Sequence, residues 1–423
     1  MNQGSSLAQK LAARAAGRLF AEVGETLHCR ADLALLDDAA LSRQLLPLAR
    51  GRGLPVWSSE RVVLTMDHHG PEPDATSRGR AQAARDWAVT HELAHVFEGR
   101  GIGHVVVPRT GLVRPGMLCI GGDARTSTAG AFGTLALAVE PKRLCSALAR
   151  GTLSVDVPPT LFARWSGRLS EGVSAKDMVL AMIERLGTEG AAGQVIEFCG
   201  EAVGALSMAE RMTLTNMSAE LGACTAVIAP DDLTRTWLEA AGADLEEYGF
   251  SRWASDEDAP GTRHSWDASS LAPQVALPPS PSQVRAIDDM EPTRVDIAYL
   301  GSCTGAKLDD LRAAARVLAG FRIAPGVRLL VAPASVADRD AAERDGILRR
   351  LVEAGATVLG SSCGACAGLG GAIAEGATVI SSTACNLPGR MGAATAQVYL
   401  ASPYTVAASA LNGRISDARP ILA

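Results

Sequence analysis

The chain has 423 residues, 47% hydrophobic and 20% charged, which excludes a disordered or fibrous protein and allows two or three domains with cores of their own. Its formal net charge is −6, without a long run of Lys or Arg, which argues against nucleic acid as a partner. No segment reaches the roughly 18 unbroken apolar residues that span a bilayer, and nine cysteines do not make a disulfide scaffold.

In chain order, "LAQKLAARAAGRLF" patterns as an amphipathic helix. The N-terminus lacks a basic start followed by an apolar run and a small-residue cleavage site, so a cytoplasmic protein in a reducing compartment is expected. "RVVLTMDHHG" reads as a strand entering a polar loop, and residues 78–98 read as one helix stopped by Gly99. "GMLCIGGDARTSTAG" is again a strand and loop, "AKDMVLAMIERLG" a helix ended by glycine, and "GQVIEFCG" a strand. Residues 254–284 are rich in Pro, Ser and Asp without periodicity, as a linker would be. Alternation then resumes through "VDIAYLGSCTG", "KLDDLRAAARVLAG", "VRLLVAPAS", "ERDGILRRLVEAG" and "ATVLGSSCGAC". Near-continuous apolar strands separated by helices argue for parallel sheets covered on both faces, which bind ligands at the carboxyl ends of their strands.

Two constellations carry chemistry. His91-Glu92-x-x-His95 in "VTHELAHVFEG" has the spacing of a helical zinc site with a general base. Its extended form fails, because Glu98 stands at the glycine position and Gly101 at the third histidine; two exposed polar residues on a helix are the simpler reading. Cys303 in "LGSCTG" and Cys363 and Cys366 in "SSCGACAG" lie in glycine- and serine-rich loops after strands, where backbone N–H groups can point at sulfur. Three thiolates are one short of a closed Cys₄ site. On a [4Fe–4S] cluster they leave one iron free as a Lewis acid. Three structural cysteines remain the alternative, and a C-x-x-C alone also suits redox chemistry or zinc. The other six cysteines have no metal-like spacing.

Ordered matches along nearly the whole chain include "GIGHVVVPRTGLVRPGMLCIGGD", "TSTAGAFGTLALAV", "GVSAKDMVLAMIERLGTEGA", "VIEFCGEAVGALSMAERMTLTNMSAELGA", "YLGSCTGAKLDDLRAAARVLAG" and "CGACAG". By these the chain resembles the aconitase superfamily, most closely the large subunits of 3-isopropylmalate dehydratase. The resemblance implies three three-layer α/β/α domains with mainly parallel sheets around an iron–sulfur cluster. It places them at 1–158, 159–272 and 289–423, with a linker at 273–288, and without the swivelling fourth domain of one-chain aconitases. It implies that Cys303, Cys363 and Cys366 hold a [4Fe–4S] cluster. Family members remove water from a 2-hydroxy di- or tricarboxylate and re-add it with shifted regiochemistry. Asp67-His68 matches a pair whose carboxylate orients the imidazole that protonates the leaving hydroxyl. His104 and Asp123 match a second orienting pair, Glu197 an acid bonding the water on the open iron, and Arg390 an arginine on substrate carboxylate. The zinc motif has no place in that chemistry. A separate small subunit carrying the swivelling domain and the catalytic base is implied, and no membrane or nucleic-acid partner.

The pattern breaks in one place. Ala124 and Arg125 in "GDART" replace a serine and a histidine; Gly305 replaces an asparagine; Ala384 and Cys385 in "TACN" replace an asparagine and a substrate-binding arginine. Losses confined to the iron and carboxylate site point to changed substrate recognition on a working cluster. On that expectation Arg125 supplies the missing charge and Cys385 lines the site with Ala124. Two alternatives stay open: a redox or non-catalytic iron–sulfur protein in which Cys385 closes the cluster, and, remotely, a zinc hydrolase.

Overall fold

In the computed structural model, residues 4–49, 53–66, 75–245, 250–367 and 373–423 are described. The chain divides into two compact units. The first comprises Met1–Glu98, Val106–Trp165 and Ala191–Trp266; the second comprises Gly99–Val105, Ser166–Gly190 and Asp267–Ala423.

The strands of the first unit are β1 (Thr26–Arg30), β2 (Leu33–Asp37), β3 (Val62–Met66), β4 (His95–Glu98), β5 (Leu118–Gly121), β6 (Leu135–Ala138), β7 (Thr152–Asp156), β8 (Thr160–Ser166), β9 (Val195–Cys199), β10 (Thr225–Val227) and β11 (Thr262–Asp267). A five-stranded sheet runs β4-β3-β2-β5-β6 with every pair parallel. Every residue of β3 and β5 is buried, as covered parallel strands require. A second sheet runs β10-β9-β8-β11, and β1 pairs with β7 as an antiparallel ribbon.

The second unit holds β12 (Gln274–Ala276), β13 (Val284–Ala286), β14 (Ile297–Leu300), β15 (Arg328–Val331), β16 (Thr357–Val358), β17 (Thr378–Ser381) and β18 (Gln397–Leu400). These form one seven-stranded sheet, β13-β12-β18-β17-β14-β15-β16. The five strands from β14 onward are parallel to one another, and the β12–β13 hairpin is antiparallel. The helix Ala175–Leu186 starts where expected, behind a capping box made by Ser174 and Asp177. Mainly parallel α/β architecture is therefore what the chain adopts.

Two expectations give way. The helix expected over 78–98 is Ala75–Thr90, followed by a turn and by β4. Glu92 takes the left-handed conformation (φ 50°). The Leu93 amide donates to Ala88 O at 3.0 Å and the Glu92 amide to Val89 O at 3.1 Å, the paired closure of a Schellman motif. Leu93 then packs against the core of the unit, so its burial outweighs one more helical turn. His91 follows the end of the helix and His95 opens a strand, so the two imidazoles do not share a helical face and the zinc geometry is lost. The supposed linker is the second correction. Residues 254–284 contain β11 and β12, and β12 pairs with β13 from Gln274–Ala286 to Ala276–Val284. The Leu277 amide closes the hairpin on Gln283 O at 2.7 Å. Its prolines sit in the turn beside an edge strand, where a missing N–H is tolerated, and three-residue strands are too short to show alternation.

Candidate active site

In the second unit the neighbours β17, β14, β15 and β16 are parallel, so the loops leaving them open on one sheet edge. Cys303 follows β14, Cys363 and Cys366 follow β16, and Cys385 follows β17. The structure thus brings four cysteines, far apart in sequence, to one edge. Cys303, Cys366 and Cys385 are buried and Cys363 is partly exposed. Ser302 holds φ 79°, a conformation that costs a non-glycine residue about 1–2 kcal/mol and that turns the chain toward Cys303. Its hydroxyl lies 3.6 Å from the Cys303 sulfur. The C-x-x-C segment is a short 3₁₀ turn, Gly364–Ala367, closed by the Cys366 amide on Cys363 O at 3.1 Å.

Two buried lysines fasten the loops after β14 and β17. Lys176, in the first turn of its helix, donates from Nζ to Ser382 O (2.8 Å), Thr383 O (2.7 Å) and Thr304 Oγ1 (3.4 Å). Burial brings its pKa down to about 7, partly offset by the nearby Asp310 carboxylate. Lys307 Nζ reaches Cys303 O at 3.0 Å and Asp310 at 2.8 Å. Ser382 Oγ donates to Gly305 O at 3.0 Å and accepts from the Gly301 amide at 3.1 Å. The first carbon of a side chain at Gly305 would stand 2.2 Å from that hydroxyl, so this backbone excludes the asparagine that relatives are expected to carry.

Among the described residues no three His, Cys, Asp or Glu side chains converge on a single ion. An iron–sulfur cluster asks for something different, soft thiolates each bound to a separate iron. Three cysteines carried by loops at one sheet edge fit that demand. Cys303, Cys363 and Cys366 are the residues that would hold it.

The remaining expected residues divide. Asp67 and His68 lie outside the described residues. His104, in the helix Gly103–Val106, belongs to the second unit and Asp123 to the first. Asp123 caps the turn Ala124–Phe132, its carboxylate accepting from the Arg125 amide at 3.0 Å. Arg125, expected to meet substrate, forms an ion pair with Glu220 and donates to Asn216 O at 3.1 Å. Its charge is already matched by a carboxylate. Glu197 is buried, accepts from Ser255 Oγ at 2.6 Å, and has its pKa raised by burial against that hydrogen bond. Its partner thus differs from that of Glu220, the acid that meets the Ala124–Arg125 loop. Arg390, in the loop after β17, and Ala124 are both exposed. Sequence reasoning missed Lys176, Lys307 and Glu220. All three sit inside matched segments, but nothing local marks a lysine in a helix's first turn or a glutamate past a helix as a site residue.

Parallel α/β sheets with reactive side chains gathered at carboxyl strand ends define an α/β enzyme of the ligand-at-strand-end type. The Aconitase family (aconitate hydratase) pattern matches residues 32–413. The 3-isopropylmalate dehydratase large subunit of Moorella thermoacetica is 38% identical over 98% of both chains. That of Hydrogenobaculum sp. is 35% identical over 98% of this chain and 97% of its own. The holo-form aconitase X of Thermococcus kodakaraensis superposes with a TM-score of 0.47 at 11% identity, covering 84% of each chain, a likeness too remote to argue from. The chain belongs to the aconitase family, and its activity is that of a hydro-lyase.

Proposed function

We propose that the chain is the large, cluster-bearing subunit of an iron–sulfur hydro-lyase acting on a 2-hydroxy di- or tricarboxylate related to isopropylmalate. The reading is carried by the sheet edge that holds the loops of Cys303, Cys363 and Cys366, the Cys303 loop being tied by Lys307 and, to Ser382 and Thr383, by Lys176. A bound [4Fe–4S] cluster supplies a Lewis acid for the substrate hydroxyl and carboxylate. The chain's own residues do the rest. By the family resemblance we assign the proton of the leaving hydroxyl to Asp67 and His68, further polar roles to His104 and Asp123, and a substrate carboxylate to Arg390. Glu197 is retained as a site acid only if its bond to Ser255 opens. Non-standard recognition follows from Ala124, Arg125, Gly305, Ala384 and Cys385. The substrate contacts supplied by relatives' polar side chains there are gone, and the Arg125 charge is spent on Glu220. The large-subunit names of the relatives support a separate small subunit.

One experiment tests the cluster. Anaerobic reconstitution with iron and sulfide should load the wild-type chain, whereas Cys303→Ser, Cys363→Ser and Cys366→Ser should each lose the chromophore and bound iron, because a hydroxyl is a poor ligand for it. Full iron content in any of the three overturns the reading. Cys385 is buried after β17, the strand beside β14, at the same sheet edge as Cys303. If Cys385→Ser sheds iron, Cys385 is the fourth ligand and the open-iron reading falls; if the spectrum is kept, it lines the site.

A further inference from the structure

Tyr299 is the third residue of β14 and is fully buried (0% exposed). A tyrosine in such a strand normally turns its hydroxyl to a partner. This hydroxyl meets none of acceptable geometry, although leaving a buried donor unmade is unfavourable. Two glycines define the position of the oxygen. The first carbon of a side chain at Gly301, two residues before Cys303, would stand 2.6 Å from it; at Gly364, between Cys363 and Cys366, the same atom would stand 2.8 Å from it. Two glycines therefore clear a place for one phenol between both cysteine-bearing loops. The phenol is a hydrogen-bond donor whose proton has no acceptor in this structure. The glycine that makes room for this oxygen on the turn side lies in the loop that carries Cys363 and Cys366.

We propose that Tyr299 is a positioning residue for the cluster, its hydroxyl donating a hydrogen bond to a cluster-ligating thiolate of the Cys363–Cys366 turn. The inference rests on the cluster reading above and goes beyond it by assigning what tunes the cluster's electronics. A hydrogen bond to sulfur draws electron density from the iron and favours the reduced state. Tyr299→Phe removes only the oxygen and leaves the ring in place.

The test compares anaerobically reconstituted wild type and Tyr299→Phe. Both should take up the same iron and sulfide, and the apo forms should unfold at the same denaturant concentration or with Phe slightly ahead. The reduction couple of the variant, followed by EPR-monitored titration, should move to more negative potential. Pulsed EPR of the reduced wild type should detect an exchangeable proton coupled to the cluster, lost in Tyr299→Phe. Water on the open iron also carries exchangeable protons, so only a coupling lost in Tyr299→Phe is assigned to the phenol, and protein containing fluorotyrosine, whose more acidic phenol should shift that coupling, replaces the variant if it does not fold. A fully loaded variant with unchanged potential, or a loaded wild type without the exchangeable proton, overturns the Tyr299 assignment and leaves the cluster reading intact. A wild type that binds no iron overturns both, and is recognised before the variant is made.

Discussion

Arg125 and Glu220 face each other with side chains only 13% and 12% exposed, so each is the main reason the other tolerates burial. Arg125→His takes away the matched guanidinium and leaves a carboxylate buried beside a weaker and titratable base. Breaking a buried pair from one side costs about 3–5 kcal/mol, whereas replacing both partners with apolar groups is often neutral. Urea unfolding of the apo chain should therefore show a large drop for Arg125→His and a smaller one for Arg125→Met/Glu220→Leu. A single variant as stable as the wild type would mean that the pair does not hold the loop. The functional consequence runs the same way. A substrate acid group can use Arg125 only by displacing Glu220, so the non-standard recognition proposed above rests more on Ala124, Gly305, Ala384 and Cys385 than on the cation at 125.

At the scale of elements, the end of the helix Ala75–Thr90 decides the fate of the His-Glu-x-x-His motif. Glu92 occupies a left-handed position (φ 50°) that costs an L-residue about 1–2 kcal/mol and that glycine takes freely. Glu92→Gly should accordingly be neutral or stabilising, by up to about 1 kcal/mol once the larger entropy of the unfolded glycine is set against the relief. Activity should be unchanged, and metal analysis should find no stoichiometric zinc in either protein. A folded but inactive Glu92→Gly, or one that releases a bound zinc, would revive the hydrolase reading. The same local competition explains the hairpin Gln274–Ala286. Prolines in its turn erase the periodic signal, while two short strands still complete the sheet because backbone groups at its edge gain partners.

For the whole molecule, the proposed reaction needs a group that this chain's family members of the large-subunit type are expected to receive from a partner. The purified chain, even with its cluster restored, should dehydrate isopropylmalate and related 2-hydroxy dicarboxylates negligibly, and addition of a small subunit of the swivelling-domain type should raise turnover by orders of magnitude. Full turnover by the chain alone would place the base within these 423 residues. No helix among the described residues is long and apolar enough to cross a membrane. The sequence by itself determined the parallel α/β class, since five buried residues in a row at Val62–Met66 and four at Ile297–Leu300 have no other ready home. It also determined the two loops that carry Cys303, Cys363 and Cys366, because C-x-x-C spacing and glycine-rich turns after strands are local signals. Only the tertiary structure decided that Arg125 meets Glu220, that Lys176 reaches Ser382 and Thr383, and that the Tyr299 hydroxyl ends between two cysteine loops. Each joins residues distant in sequence, and each side chain reads in isolation as a surface charge or a core aromatic. Burial and partner, which give them their chemistry, exist only once the strands are in register.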